Sequence, residues 1–361
     1  MIRYVSRTAV EADWRCRRSR YYMTEYHGTG IVSAKQADDL VFGSVIHKAT
    51  EQIEREIMGW IPASMWAGQE LLRLGFNDQM ARLGQGLVAG YGAYLLPRLL
   101  KEYEILQVEY ECSLSLTDEL AIAVQPDLVV RRRSDGVIGY IEKKTTKWAN
   151  ENWITSWERS IQLQLGMRAL QLEGLDAQFA VVLGFHKAPP HWKSKRLMSP
   201  LVWAYYDDEG KRYSAEWKRD WAVFDTSQYP GGMPDWVGWL ERKALPDLAS
   251  CFPMTAPISY RPSQVGAFLA QQAHRELEIQ AWREAKVGRN LMATFPQNFS
   301  SCQIGGRKCA YYEACWQMTN PADPGTILDP NRNLISSGCY LERVPHHDLE
   351  AFSLDLDEEI G

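Results

Sequence analysis

Three side chains in one short stretch are of the types that hold a divalent cation and handle a proton beside it. The segment from Gln125 to Lys147 reads QPDLVVRRRSDGVIGYIEKKTTK and carries Asp127, Glu142 and Lys144. Glu142 and Lys144 are two positions apart, so on a β-strand both project from one face. Folding the stretch back on itself brings Asp127 beside them. Neighbouring carboxylates repel unless a cation sits between them, and an oxygen-lined site of this kind suits Mg²⁺ or Mn²⁺. A lysine next to that cation could orient or deprotonate a water. A second capable group is FPQNFSSCQIGGRKCAYYEACW, which places Cys302, Cys309 and Cys315 in one short segment. Grouped thiols outside a disulfide framework usually mean a metal. Their gaps of six and five residues fit poorly with the two-to-four-residue gaps of zinc knuckles. Iron–sulfur clusters accept longer, irregular loops. Three thiolates need a fourth, and Cys16, in the basic and aromatic segment WRCRRSRYY, is the best candidate.

The elements that would position these groups are legible in outline. Ser134-Asp135-Gly136 is a turn former between two runs rich in β-branched and aromatic residues, AIAVQPDLVV and GVIGYIEKKTT, so a hairpin is expected. From Ser33 to about Ile57, apolar residues recur at spacings of three and four, predicting a helix with Ser33 as N-cap and His47 inside it. Residues 62–103 read as further helices, with Tyr91, Tyr94 and Leu95 in the core. Ile105 to Leu116 reads as one alternating strand. After the hairpin, TSWERSIQLQLGMRALQLEG predicts a helix capped by Thr155 or Ser156, carrying Gln162 and Gln164 and closed by Gly174. The run AQFAVVLGFHKA suits a strand buried on both faces. Residues 186–200 form a basic, Pro-punctuated loop, LVWAYY a further strand, and residues 212–290 a mostly helical region.

Pro126-Asp127 followed by Glu142-Lys143-Lys144 and Thr145-Thr146 resembles the PD-(D/E)XK nuclease signature. Gly43-x-x-x-His47 is similar to the preceding helix of RecB-type members, which implies His47 as a metal ligand. Neutral imidazole suits Mn²⁺ better than Mg²⁺. RecB-type nucleases also carry a glutamine-centred motif, often Q-x-x-x-Y, on the helix after the hairpin. Gln164 fits it better than Gln162 by its distance to Ala169-Leu170, although Arg168 stands where the motif has tyrosine. One early and three late cysteines around such a core resemble the iron–sulfur nucleases: AddB-type domains, CRISPR adaptation nucleases and phage-type exonucleases. The resemblance implies a structural [4Fe–4S] cluster on Cys16, Cys302, Cys309 and Cys315 that clasps the two ends of the chain. It implies Asp127, Glu142, Lys144 and Gln164 as the catalytic set. His47, Asp127, Glu142 and the backbone carbonyl of Lys143 would hold Mg²⁺ or Mn²⁺. The implied activity is metal-dependent exonucleolytic hydrolysis of DNA, single-stranded or at duplex ends, in recombination, repair or phage DNA processing. The competing reading is a non-catalytic DNA-binding recombination scaffold, or a nuclease subunit docked on a helicase. No phosphate-binding G-x-x-x-x-G-K-[ST] motif occurs, so any motor would be a separate chain.

Bulk properties narrow the class. The 361 residues suffice for one large or two moderate domains. No apolar run is long enough to span a membrane, and MIRYVSRTAV lacks the apolar centre of a signal peptide. An odd count of seven cysteines argues against a secreted disulfide framework, so a cytoplasmic location is expected. The formal charge of −5 conceals an asymmetry. Residues 340–361 hold seven acids and one base, leaving 39 bases against 38 acids elsewhere. Basic clusters at Arg15–Arg20, Arg131–Arg133 and Lys187–Arg196 could track a phosphate backbone or be solvated loops. The expected fold is α/β, a PD-(D/E)XK-like mixed sheet of four or five strands flanked by helices. The nuclease core is expected at 33–210, with a helical insertion at about 60–103, after an N-terminal segment 1–32. A helical region at 211–339 includes the cluster-binding segment 295–320, and 340–361 is an acidic tail, disordered or partner-docking.

Overall fold

A computed structural model of the chain describes residues 3–26, 30–147, 150–187, 251–284, 294–304, 307–317 and 340–342. The protein is mixed α/β and divides into two compact units that interleave along the chain. One comprises Val41–Cys112 and Gln125–Arg261, the other Met1–Leu40, Ser113–Val124 and Pro262–Gly361. Among the described residues no helix is long and apolar enough to cross a membrane.

The first unit carries the acidic residues. Its helices are α1 (Ala34–Glu54, entering at Val41), α2 (Trp60–Arg73), α3 (Asp78–Gly90) and α4 (Leu96–Glu102). A five-stranded mixed sheet follows in the order β1 (Tyr103–Val108), β2 (Leu128–Arg132), β3 (Ile138–Thr146), β4 (Ala177–His186) and β5 (Ile258–Ser259). β2 and β3 form the expected antiparallel hairpin, with Leu128 opposite Ile141 and Gly136 in the left-handed region at the turn. β3 and β4 are parallel, joined by α5 (Glu151–Trp157) and α6 (Ile161–Leu172). A parallel pair buries both faces, and β4 accordingly has only Gln178 exposed.

Strand alternation on β3 sorts its side chains between two layers. Ile141 joins Phe42, Val45, Ile46 and Ala49 of α1 in the main core, together with Val181, Leu183 and Phe185 of β4. Tyr140 points the other way and donates its hydroxyl to Leu163 O of α6 at 3.1 Å. Gly166 lets α6 come this close, because a Cβ there would lie 2.4 Å from Tyr140 Oη. Tyr140 is fully buried and has nowhere to retreat. Gly166→Ala is therefore expected to cost about 1–3 kcal/mol by overpacking, read as a lower urea midpoint at unchanged m-value.

Several expectations are corrected. The strand expected from Ile105 to Leu116 is two strands in different sheets. β1 ends at Val108, Glu109 turns into the left-handed region at φ 50°, and Cys112–Thr117 joins the sheet of the other unit. AIAVQPDLVV divides likewise, because Pro126 has no N–H to offer a ladder. Leu120–Val124 pairs in the other unit and Leu128–Arg132 in this one. The helix expected to be capped at Thr155 or Ser156 is also two. Both hydroxyls bond back to carbonyls inside α5, which Asn150 caps, and Ser160 is the N-cap residue of α6.

The second unit has a three-stranded sheet of Arg3–Ser6, Leu120–Val124 and Cys112–Thr117, with Leu120–Val124 in the middle. Helices Arg7–Arg15, Arg17–Arg20 and Pro262–Glu284 belong to this unit. The basic run Arg15–Arg20 is largely an interior feature. Arg20 and Glu276 are both buried and form a bidentate pair at 2.7 and 3.0 Å. Arg18 donates to Phe295 O, and Arg17 pairs with Glu278. Arg17, Arg18 and Arg20 thus tie segments of this unit together, while Arg15 is exposed. In the first unit Arg131 pairs with Glu104, Arg132 with Asp135, and Arg133 donates to Leu100 O. Of Lys187–Arg196, Lys187 is buried with its ammonium over the Phe42 ring, and the rest lies outside the described residues, as do LVWAYY and most of 186–200 and 212–290. The stretch expected as an acidic tail begins as a strand, since Tyr340–Glu342 pairs antiparallel with Ile31–Ser33. Its other residues are outside the description.

Candidate active site

Asp127 stands one residue before β2, between Pro126 and Leu128. Its backbone is clipped to the end of β1, where Glu109 N–H donates to Asp127 O and Tyr110 N–H to Pro126 O, at 2.8 and 3.1 Å. Its side chain accepts from the backbone N–H of Lys143 on β3. Asp127 Oδ1 lies 3.4 Å from His47 Nδ1, carried on α1. Gly43, one helical turn earlier, allows that approach, since a Cβ there would meet Thr145 Oγ1 of β3 at 3.0 Å.

His47, Asp127 and Glu109 each offer a donor atom, all within 4.8 Å of one another. This is the one such group of three among the described residues. Glu109 was not expected. Its signal is faint: β1–β2 register pairs Val108 with Leu128, which puts Glu109 opposite Asp127. Its left-handed φ is uncommon for a residue other than glycine, and such strained backbone clusters at functional sites. Burial and the neighbouring Asp127 carboxylate push Glu109 up to about 8, against the pull of Lys143. Burial alone would raise Asp127 too, but His47, Lys143 and Lys144 outweigh it and hold that carboxyl well below its usual range. Two carboxylates therefore share a site that tolerates one negative charge until a cation arrives. Two carboxylates and an imidazole fit Mg²⁺ or, better, Mn²⁺.

The remaining expected residues face α6. Lys144 Nζ lies 2.6 Å from Glu142 Oε1, with Glu142 buried and Lys144 30% exposed. Gln162 Nε2 donates to the same Glu142 oxygen. Glu142 and Gln164 make different contacts. Glu142, expected as a ligand, is outside the three-membered group, and that oxygen is held by Lys144 and Gln162. Gln164, expected beside Lys144, spends its amide elsewhere. It donates to Ser259 O at 3.0 Å and accepts from Arg261 N–H at 2.7 Å, fastening α6 to β5. Helical geometry makes the difference, because residues two apart point about 200° apart. Lys143 meets Asp127 through its N–H, and its side chain turns away from Lys144.

The four cysteines lie in the other unit and line one pocket. Cys16 sits in an extended break between helices Arg7–Arg15 and Arg17–Arg20. Cys302 follows the turn Phe299–Ser301, Cys309 follows the two-residue strand Arg307–Lys308, and Cys315 is in helix Tyr312–Gln317. Hydrogen bonds brace the pocket: Asn298 N–H donates to Cys16 Sγ at 3.3 Å and Gln297 Nε2 to Cys315 Sγ at 2.6 Å. Asn298 Nδ2 and Ser301 Oγ both donate to Arg15 O. Burial pushes the Cys315 thiol up to about 11, despite the Gln297 bond and the nearby Arg18. Four thiolates on one zinc would lie about 3.8 Å apart, given a zinc–sulfur bond near 2.3 Å. No three of these sulfurs lie within 4.8 Å of one another among the described residues. Cys112 and Cys251 are buried away from this pocket, and Cys339 is outside the described residues.

A scan of protein-family models finds no match to this chain, and a search of curated proteins finds none either.

Proposed function

We propose that the protein is a divalent-metal-dependent DNA exonuclease of the PD-(D/E)XK type, with a structural [4Fe–4S] cluster in the cysteine pocket. The observation that supports it most is the convergence of His47, Glu109 and Asp127 beside a Glu142–Lys144 pair on the adjoining strand. His47, Glu109 and Asp127 would hold Mg²⁺ or Mn²⁺. When bound, the ion supplies Lewis-acid polarisation of the scissile phosphate and of water. Lys144 has its ammonium anchored on Glu142 and enough exposure to reach a phosphate. It orients the attacking water and balances charge developing on the phosphoryl oxygens. Gln162 fixes Glu142 and so acts on Lys144 as a positioning residue. Arg18 and Arg20 are buried in contacts of their own, so the grip on DNA falls to exposed cations such as Arg15, Arg131 and Arg133, or to a partner.

The test is degradation of end-labelled single- and double-stranded DNA by anaerobically purified protein, with Mg²⁺, Mn²⁺ or chelator, beside Asp127→Asn. Metal-dependent shortening from one end, absent in the variant, supports the exonuclease and gives its polarity. No cutting, or cutting that Asp127→Asn retains, removes it and favours the scaffold reading.

The cysteine pocket makes a separate prediction. Iron and acid-labile sulfide should accompany the wild-type protein, and Cys16→Ser should lose both while Asp127→Asn keeps both. Wild-type protein free of iron would remove the cluster and leave the nuclease centre standing.

A further inference from the structure

Alternation on β3 turns Lys143 away from its neighbours and into the layer against α1, where none of its side chain is exposed. There its ammonium lies 2.7 Å from Glu54 Oε2, 3.2 Å from Thr50 Oγ1 and 3.7 Å from Glu109 Oε1. Glu54 is equally buried and also accepts from the Tyr91 hydroxyl. Three oxygens within 3.7 Å of a fully buried cation are the kind of surroundings a metal ion takes, with a lysine in the ion's place. Glu109 is shared, because its carboxylate also belongs with His47 and Asp127. A carboxylate between two cations is how two-metal phosphodiester sites are arranged, with ions about 3.5–4 Å apart.

We propose that the Lys143 ammonium takes the place of a second metal ion, so that the site binds one divalent ion per chain. This rests on reading His47, Glu109 and Asp127 as a metal centre. A charge buried this completely is little screened by salt or water, and unlike an ion it cannot dissociate. It satisfies Glu54, holds Glu109 at the rim, and repels a second divalent cation from the far side of Glu109. Lys143 is thus a positioning residue that sets ion number, and its own atoms do not meet DNA.

The experiment is a Mn²⁺ titration of the metal-stripped full chain, read by calorimetry for stoichiometry and by electron paramagnetic resonance for coupling between ions. Wild type should bind one Mn²⁺ with the spectrum of an isolated ion. Lys143→Ala leaves Glu54 and Glu109 without their cation, vacates the space between them and should bind two, with a spin-coupled spectrum. Should Lys143→Ala not fold, Lys143→Ser, which also vacates the space, carries the same expectation. Two coupled ions in wild type overturn the proposal, as does a single ion in a folded Lys143 variant. No ion at all in wild type removes the metal centre itself, an outcome distinct from either.

Discussion

Lys144→Ala should lower kcat for DNA cleavage by about 10²–10⁴-fold, the range over which a positioned proton-handling group contributes, and leave DNA affinity nearly unchanged. That fall corresponds to about 3–5 kcal/mol in the barrier, at about 1.36 kcal/mol per decade. The split follows from where the side chain sits. Its ammonium is anchored 2.6 Å from Glu142 on the solvent-facing side of the site, so it meets a single phosphate at most. Neutralising one phosphate contact changes the salt slope of binding by only about 0.9. The loss should therefore appear in kcat and kcat/KM alike, the pattern of an interaction made in the transition state. Gln162→Ala should follow it in kind with a smaller loss, because it frees Glu142. Gln164→Ala should leave kcat alone and lower stability by about 1–3 kcal/mol, since it strands Ser259 O and Arg261 N–H. Equal losses of affinity and kcat in Lys144→Ala would assign this lysine to binding instead.

The contrast between those two glutamines shows what the chain discloses by itself. The hairpin, the helix around His47 and the buried run of β4 are written in local periodicity, which needs no knowledge of partners. So is the shared face of Glu142 and Lys144. The four cysteines are legible through grouping and flanking composition, and they do line one pocket. What periodicity does not carry is who pairs with whom. Glu109 lies in VEYEC, an alternation that continues a strand on paper. Only pairing of β1 with β2 and the left-handed φ bring it to Asp127. The arginines of 15–20 look like a phosphate track until Glu276 and Glu278, more than 250 positions away, are seen to take Arg20 and Arg17. Gln162 and Gln164 are equally polar in sequence. The choice between them depends on the rotation of α6, set by Gly166 against Tyr140.

Glu54→Gln should be among the most destabilising single changes at this site, although it lies behind the chemistry. It leaves the Lys143 ammonium, fully buried, with Thr50 and a carboxylate 3.7 Å away. Breaking a buried ion pair from one side costs about 3–5 kcal/mol, because the remaining charge stays desolvated. Thermal unfolding should fall by about 6–20 °C, at about 2–4 °C per kcal/mol. Glu54→Gln/Lys143→Met should recover most of that loss. It removes both charges while the amide oxygen still accepts from Tyr91, and replacing a buried pair by apolar volume is often neutral or favourable. The interaction energy from the cycle measures the pair, provided neither single change rearranges Glu109. A loss below about 1 kcal/mol in Glu54→Gln would mean that Glu109 alone compensates the lysine. The double variant also separates stability from ion number. It lacks both the lysine and the acid that would hold an extra ion, so it should bind one Mn²⁺ and stay folded, whereas Lys143→Ala binds two. If the double variant also binds two, Glu54 is not the anchor of the second position, and Glu109 with Asp127 suffices.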